Sequence, residues 1–574
     1  MSKAKLSKIS IYLPSDAPSQ AGYAAEELRH YLGLMSSERV GITSVEQGVC
    51  IRLVQEALGD DDSFSIRSSK DGALIKGGKR GIIYGAYELL ERLGCRFFTA
   101  TIEKVPTLTE IVLPELDISQ SPAFCYREHN YYELAKYSRF AVKRRLNGAH
   151  HPIREKHGGH KAYAWFVHTF QTMVPPSVYG ESHPEYYALF DGKRVTDLHV
   201  NQLCLTNPDI LDIAVESVRA ALKARPDAEI ISISQNDWGR SCECEKCRER
   251  DAFHGSAAGT LLEFVNAIAE RLEPEFPNVT FDTLAYNYTR PIPKEIRPRH
   301  NVCVRLCSIE ACFAHSFETC DDDRGVTLPD GTKTDFITDL RNWGSICDNV
   351  YIWDYTTNFG HYPAPHPNWH VLQPNIRAFR KNNVKGVFEQ ACGASAGSTD
   401  FNELRAYVIS SLLWNPDADV EALITEFTDY VYGEAAPFVR EYIEYICREV
   451  EEKNIHAGFQ PHTDLPLYSK ETVAKLFELM QKAKKAVEGD PLKLWRIAKA
   501  ELSVRWVELK NQTKLEGVYD AEKINRFFSD WRAFGMTRID EWCSQETTLR
   551  AMLEDVWRGT DLYKHWSGDG PEEL

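Results

Sequence analysis

Three cysteines, Cys242, Cys244 and Cys247, form a C-x-C-x2-C run within six residues. Thiolates this close can share one tetrahedral ion, and Zn2+ is the usual ion for such sulfur ligands. Cys204 and His254 are both candidates for the fourth position, and the expected set is Cys204, Cys242, Cys244 and Cys247. A structural zinc that clips the loop is preferred to a catalytic ion with an open position; the alternative is three free thiols packed in a loop. Because the run is read as loop, and not as the C-x-x-C helix start of thioredoxin-like chemistry, a redox role is discounted.

Carboxyl groups make the second set. Glu310 follows the run NVCVRLC (301–307), Asp354 closes NVYIW (349–353), and Glu389 ends VKGVFE (384–389). Two carboxyl groups across a pocket are what glycoside hydrolysis requires, one as acid and one as base or nucleophile. An apolar setting raises a carboxyl pKa and suits the acid, while a solvated neighbour stays ionised. Glu310, Glu389 and Asp354 are therefore the catalytic candidates, all expected to face the pocket mouth. The competing reading pairs them with Arg127, Arg305 or Arg405 as salt bridges.

These residues need elements to position them. Eight short β-rich runs recur from Ala123 onward, at 123–128, 145–149, 202–206, 229–234, 280–286, 301–307, 349–353 and 384–389. Helical patterns at 208–224, 257–273, 335–345 and 371–382 alternate with them. Repeated strand–helix units favour a parallel sheet, and eight favour an α/β fold closed as a (β/α)8 TIM barrel. Active sites of such barrels lie at the C-terminal strand ends. Those ends hold Arg127 and Glu128, His150 and His151, Asn207, Asn236 and Asp237, Asn287, Glu310, Asp354 and Glu389. Of these, Asp237, Asn236, Arg127, His151 and Asn287 are expected to bind substrate. Tyr286, Trp238, Trp353 and Tyr355 are placed to stack on sugar rings, with rim packing as the alternative. His150 is offered beside His151 as touching substrate, and the remaining histidines, His157, His160 and His168, lack a metal-binding frame and are read as hydrogen-bonding or surface residues.

Before the barrel, residues 1–115 read as a small α+β domain. It has a helix at 19–34, a hairpin around Asp71-Gly72, and a helix ended by Gly94. The prolines of 105–122 suggest a linker. The barrel spans 116–415, and 416–574 reads as a helical C-terminal region, with amphipathic stretches at 421–432, 436–452 and 471–487.

Composition excludes several classes. Against 83 Asp and Glu stand 67 Lys and Arg, a formal charge of −16. That field repels phosphate backbones and anionic lipid, so neither nucleic acid nor a membrane is an expected partner. The N-terminus has no apolar core of a signal peptide, and no window reaches 18 uninterrupted apolar residues. Fifteen scattered cysteines in such a chain suggest reduced thiols and a cytoplasmic location. No G-x-G-x-x-G helix start, Walker loop or G-x-S-x-G elbow is present. The expected partner is a carbohydrate substrate, with a homodimer through the C-terminal helices as a further expectation.

RGIIYGAYELLERLGCRFF resembles the end of the small domain that precedes the barrels of α-glucuronidases and β-hexosaminidases. SISQNDWGRSCECEKC, YNYTRPIPKEIRP, IWDYTTNFGHYPAPHPN and the stretch from GVFEQ to ELRAYVISSLLWNPDAD resemble domain-of-unknown-function family 4838. That family includes the endo-β-N-acetylglucosaminidases of glycoside hydrolase family 163. The resemblance covers about residues 70–430. It implies a glycoside hydrolase of N-acetylglucosaminidase-like type that needs no catalytic cofactor, with Glu310 and Glu389 as the favoured pair. Asp237 would orient a sugar hydroxyl or acetamide, and Asp354 would assist. Where acetamide-assisted hexosaminidases carry Asp-Glu or Asp-Asp after the fourth strand, this chain has Asn236-Asp237. Small oligosaccharides or glycosides are the expected substrates. The alternatives are an α-glucuronidase-like exo-enzyme and a non-catalytic carbohydrate-binding protein on a degenerate barrel.

Overall fold

The structure is a computed structural model that describes residues 9–37, 39–46, 48–197, 200–328, 330–393, 400–516 and 520–558. The ends of the expected first and last domains, 1–8 and 559–574, lie outside the described residues, as does 394–399 within the GVFEQ–ELRAY stretch.

The N-terminal part is a six-stranded sheet covered by two helices. Its strands are β1 (Ile9–Tyr12), β2 (Val40–Thr43), β3 (Val49–Gln55), β4 (Phe64–Ser69), β5 (Gly72–Gly77) and β6 (Leu116–Gln120). They lie in the order β2-β1-β3-β5-β4-β6. The helices are α1 (Ser19–Met35) and α2 (Gly81–Arg92). The β4–β5 hairpin turns at Lys70-Asp71, and Gly72 opens β5 because a Cβ there would meet the Cys50 carbonyl at 2.7 Å. Gly94, at φ +102°, ends the α2 turn in a conformation only glycine adopts readily. The stretch 105–122 is not simply a linker. Its residues Leu116–Gln120 form the edge strand, with Ile118 opposite Ile66.

The second sheet is wholly parallel. It comprises β7 (Tyr126–His129), β8 (Ile230–Ser232), β9 (Thr280–Ala285), β10 (Val302–Cys307), β11 (Val350–Tyr355) and β12 (Val384–Gln390). The order β8-β9-β10-β11-β12-β7 curves them into a half barrel. Around it run α3 (Asp209–Ala224), α4 (Glu245–His254), α5 (Ala257–Leu272), α6 (Phe336–Ile346), α7 (Leu372–Lys381) and α8 (Asn402–Trp414).

Two expected strands are absent. At 145–149 Arg145 takes φ +58°, and the Asn147 side chain replaces a ladder: its Oδ1 accepts from Arg127 N at 2.9 Å and its Nδ2 donates to Cys125 O at 2.9 Å. The stretch 202–206 makes only one antiparallel bridge, Leu203 to Tyr187, and meets the end of β8 through a side chain, Gln202 Oε1 accepting from Asn236 N at 2.9 Å. Residues 162–165 lie beside β8 instead. There Ile230 N donates to Ala162 O at 3.1 Å and Ala164 N to Ile230 O at 2.9 Å.

Strand alternation sorts the side chains. Ile352, Val304, Leu306 and Val387 point outward into the main apolar core, while Tyr126, Cys303, Tyr351 and Phe388 fill the lumen. Buried Arg305 sits there too, 3.2 Å from Asp282 and flanked by the Tyr126, Tyr163, Phe166 and Tyr351 rings at 5.3–5.8 Å.

The C-terminal region is helical as expected: α9 (Val420–Tyr432), α10 (Ala436–Lys453), α11 (Lys470–Ala486), α12 (Pro491–Leu515), α13 (Ala521–Ala533) and α14 (Gln545–Arg558). Asp419, Ser469, Asp490 and Asp520 cap four of these helices by accepting from free backbone N–H groups in the first turn. This region reaches the strand ends through Phe459, whose ring centroid is 5.1 Å from that of Tyr355. Among the described residues, no helix is long and apolar enough to cross a membrane.

Candidate active site

The C-terminal strand ends bring Asp237, Tyr286, Glu310, Trp353 and Tyr355 to one mouth. Asp237 is exposed beyond β8, and Tyr286 Oη donates to its Oδ1 at 3.0 Å. Asn287 follows at φ +52°, a left-handed turn that asparagine tolerates, and opens the short helical turn 287–289. Glu310, 21% exposed, lies three residues beyond β10. Arg290 Nη1 donates to its Oε2 at 2.9 Å and Arg290 Nε to Asp339 at 2.7 Å. Glu310 Oε1 has no partner. Burial and the charges of Cys307, Tyr286, Glu310 and Asp237 together raise the Tyr355 phenol well above its ordinary pKa. Both carboxylates therefore lie within electrostatic reach of one buried tyrosine.

Aromatic and imidazole groups line the approach. Trp353 donates from Nε1 to Gln390 Oε1 at 2.7 Å and packs on Phe388 at 5.0 Å and Phe166 at 5.7 Å. His150 stacks on Phe388 at 5.2 Å, and its Nδ1 lies 2.8 Å from Glu128 Oε1. Burial opposes both charges, yet each stabilises the other: the His150 pKa is raised and the Glu128 carboxyl is held at about 2. His168, at φ +58°, is fixed by Gln235 O at 2.8 Å from its Nδ1, with its ring 6.1 Å from that of Tyr286. Of the two histidines offered as touching substrate it is His150 that lines the approach, and Glu128, His168 and Phe166 are site residues that the substrate-binding set had omitted. Of these three, only Glu128 was signalled, by its position at a strand end.

Several expected residues lie elsewhere. Asp354 and Glu389, expected at the mouth, are outward positions of β11 and β12. They border a void of about 10 Å3 beneath α7, with Asn368, Val371, Leu372 and Asn375. Burial pushes Asp354 up to about 6, and Ser308, which donates to its Oδ1, offsets this only in part. Burial and the charge of Asp354 raise Glu389 well above the usual carboxylate range. Both Glu389 oxygens are buried without a partner. Arg127 is buried facing the N-terminal sheet, 3.3 Å from Asp62, and is out of reach of a substrate at the mouth. His151 is fully buried with Nδ1 3.1 Å from Leu134 O, and burial lowers its pKa to about 4. Asn236 is consumed by Asn201, Gln202 and Gln171. Trp238 packs on the cysteine cluster. Nor do the carboxylates pair as the salt-bridge reading had it: Arg127 meets Asp62, Arg305 meets Asp282 and Arg405 meets Asp400.

A 720 Å3 cavity lies at the opposite strand ends, between α2 and α8. Two of its cations are engaged by carboxylates, Arg145 by Glu88 and Glu91 and Arg96 by Glu426.

The four cysteines do gather. Cys204 Sγ lies 3.6 Å from Cys244 Sγ and 3.9 Å from Cys247 Sγ, and ligand atoms of all four are within 4.8 Å of one another. His254 turns instead to Glu263, at 3.1 Å. Cys244 is the N-cap of α4, so Cys244 and Cys247 do form a C-x-x-C at a helix start, contrary to the loop reading.

The fold is of the kind found in carbohydrate-active hydrolases. It is similar to a glycoside hydrolase family 115 4-O-methyl-α-glucuronidase with specificity for decorated arabinogalactans. That pair has a TM-score of 0.58 and 12% identity, over 92% of this chain and 76% of that one. It is also similar to a glycoside hydrolase family 138 enzyme targeting pectin rhamnogalacturonan II, with a TM-score of 0.52, 12% identity, and coverage of 91% of this chain and 72% of that one. The model for the family "Domain of unknown function (DUF4838)" matches residues 97–444, and the chain belongs to that family. No curated protein matches it.

Proposed function

We propose that the chain is a glycoside hydrolase whose reacting carboxyl groups are Glu310 and Asp237. The observation that carries this reading is that the two carboxyl groups come from the ends of two different strands, with Tyr286 bonded to Asp237 and Tyr355 within electrostatic reach of both. Glu310 is the oriented carboxylate, held by Arg290 through one oxygen with the other unpartnered, and serves as nucleophile or base. Asp237 is exposed, held through one oxygen only, and is the second reacting carboxyl. Both similar structures act on glycans, which supports the class. The half barrel, completed by 147–148 and 162–165 as irregular staves, is read as a (β/α)8 barrel.

Within the class, a uronate-recognising exo-enzyme is favoured over an N-acetylglucosaminidase by one feature. His150, 38% exposed beside the mouth, has its pKa raised by the Glu128 charge against the effect of burial, and its ring is offered as the donor to a sugar carboxylate. The cysteine cluster is proposed to hold a structural Zn2+, because sulfurs around one zinc stand ~3.8 Å apart, close to the observed separations.

The test is turnover of aryl α-glucuronide, aryl β-N-acetylglucosaminide and pectic or arabinogalactan oligosaccharides by wild type, Glu310→Gln and Asp237→Asn. Loss in both variants, with azide rescuing one, supports the assignment. Turnover retained in both rejects the pair.

A further inference from the structure

A second cluster of metal-ligating side chains lies next to the mouth. Cys312, His315, Cys320 and His456 present ligand atoms that are all within 4.8 Å of one another. Three come from the loop that leaves β10 just after Glu310, and the fourth from the segment after α10. We propose that these four residues bind a second Zn2+, in a Cys2His2 site that pins the Glu310 loop to the C-terminal helices.

The distances carry the argument. Around a tetrahedral zinc with Zn–S ~2.3 Å and Zn–N ~2.05 Å, a sulfur and a nitrogen ligand stand ~3.6 Å apart. Cys312 Sγ is 3.5 Å from His315 Nδ1, and Cys320 Sγ is 3.7 Å from His456 Nδ1. The two imidazole centroids are 4.6 Å apart and tilted by 51°, converging on the same point rather than stacking. Cys312 is buried, and neither cysteine is in a disulfide.

The surroundings add a second, independent mark. His456 Nε2 lies 3.2 Å from Asp321 Oδ1. A carboxylate accepting from one ring nitrogen fixes the tautomer that leaves the other lone pair free, the usual support of a metal-bound histidine. That other nitrogen, Nδ1, is turned toward Cys320, with Asp322 Oδ2 also 3.6 Å from it. The site also has a mechanical consequence. Phe313 N already donates to Ala457 O at 2.8 Å, and an ion between Cys312 and His456 would lock this same junction. Two residues upstream is Glu310, so the ion would hold a carboxylate that must stay fixed near Arg290.

The experiment is zinc content per chain, by elemental analysis of protein made with zinc supplied. Wild type is expected to carry two equivalents. Cys320→Ser/His456→Ala should lose one, and Cys242→Ser should lose the other. An unchanged zinc content in Cys320→Ser/His456→Ala overturns the proposal. Should that variant fail to fold, zinc-edge X-ray absorption of the wild-type protein decides. Mixed coordination averaging about three sulfurs and one nitrogen supports both sites. Two sulfurs and two nitrogens supports this site and rejects the all-cysteine one. Sulfur-only coordination, or no zinc, overturns it.

Discussion

Asp354 and Glu389 are register partners on adjacent parallel strands, and both turn outward beneath α7 instead of into the lumen. Two acids facing each other in a void of about 10 Å3, with no cation, cannot both ionise without cost. Asp354 is pushed up to about 6 in the folded chain. The folded state therefore holds a proton that the unfolded chain has released, and stability falls as pH rises from ~3.9 toward about 6. Asp354→Asn should stabilise the protein at pH 7–8 by on the order of 1–3 kcal/mol and have little effect near pH 4. Melting temperatures across that range check the sign.

The same outward placement separates two pairs of carboxyl variants. Glu310→Gln and Asp237→Asn should each lower kcat by ~10²–10⁴-fold, while glycan binding, read by calorimetry, persists. Glu389→Gln and Asp354→Asn should keep kcat within a few-fold. Activity lost in the second pair and kept in the first would reverse the site.

Arg290 joins Glu310 to Asp339 and also donates to Thr334 O at 2.6 Å, with almost no exposure. Removing one partner of a buried ion pair costs ~3–5 kcal/mol. Arg290→Met should lower the melting temperature and kcat together. Arg290→Lys should recover stability better than kcat, because an ammonium cannot reproduce the planar fork that aims Glu310. Denaturant midpoints beside steady-state rates separate the two effects.

Glu128 and His150 predict a stability window. The Glu128 carboxyl, held at about 2, contributes fully above ~4.3 and loses its contribution as pH falls toward 2. His150, with a raised pKa, contributes fully below ~6.5 and loses its contribution at higher pH. The advantage of wild type over Glu128→Gln should peak between those limits at about 3 kcal/mol and fade near pH 2. Urea midpoints at pH 3, 5.5 and 8.5 test this.

A chelator strong enough to strip the cysteine cluster should loosen its neighbours first. Leu189 N donates to Cys242 Sγ at 3.3 Å, and Glu243 N to Leu189 O at 2.9 Å, so one junction carries both segments. Hydrogen exchange should rise in 186–194 and 236–247 and stay unchanged in β1–β5. Uniform exchange across the chain would remove the structural role given to this ion.

Much of the fold could be read along the chain, since period-2 and period-3.6 patterns are local. Six of the eight expected barrel strands and the α3, α5, α6 and α7 helices appear within a few residues of their expected bounds. The two misplaced strands mark where pattern fails. Asn147 replaces strand pairing with its own side-chain amide, and 162–165 sits beside β8 through only a few hydrogen bonds. Neither device leaves a hydrophobic period.

The sequence by itself determined the alternation of strands and helices, the acidic charge, the cysteine run and the carboxyl groups at strand ends. It could not determine which face those carboxyl groups occupy. On a strand of period 2, one residue of offset moves a side chain from lumen to outer layer. Asp354 and Glu389 fall on the outer positions, while Glu310, past the end of β10, swings back to the mouth through Arg290. Nor could it join His456 to Cys312, 144 positions apart, because only the packing of the C-terminal helices against the barrel brings them together.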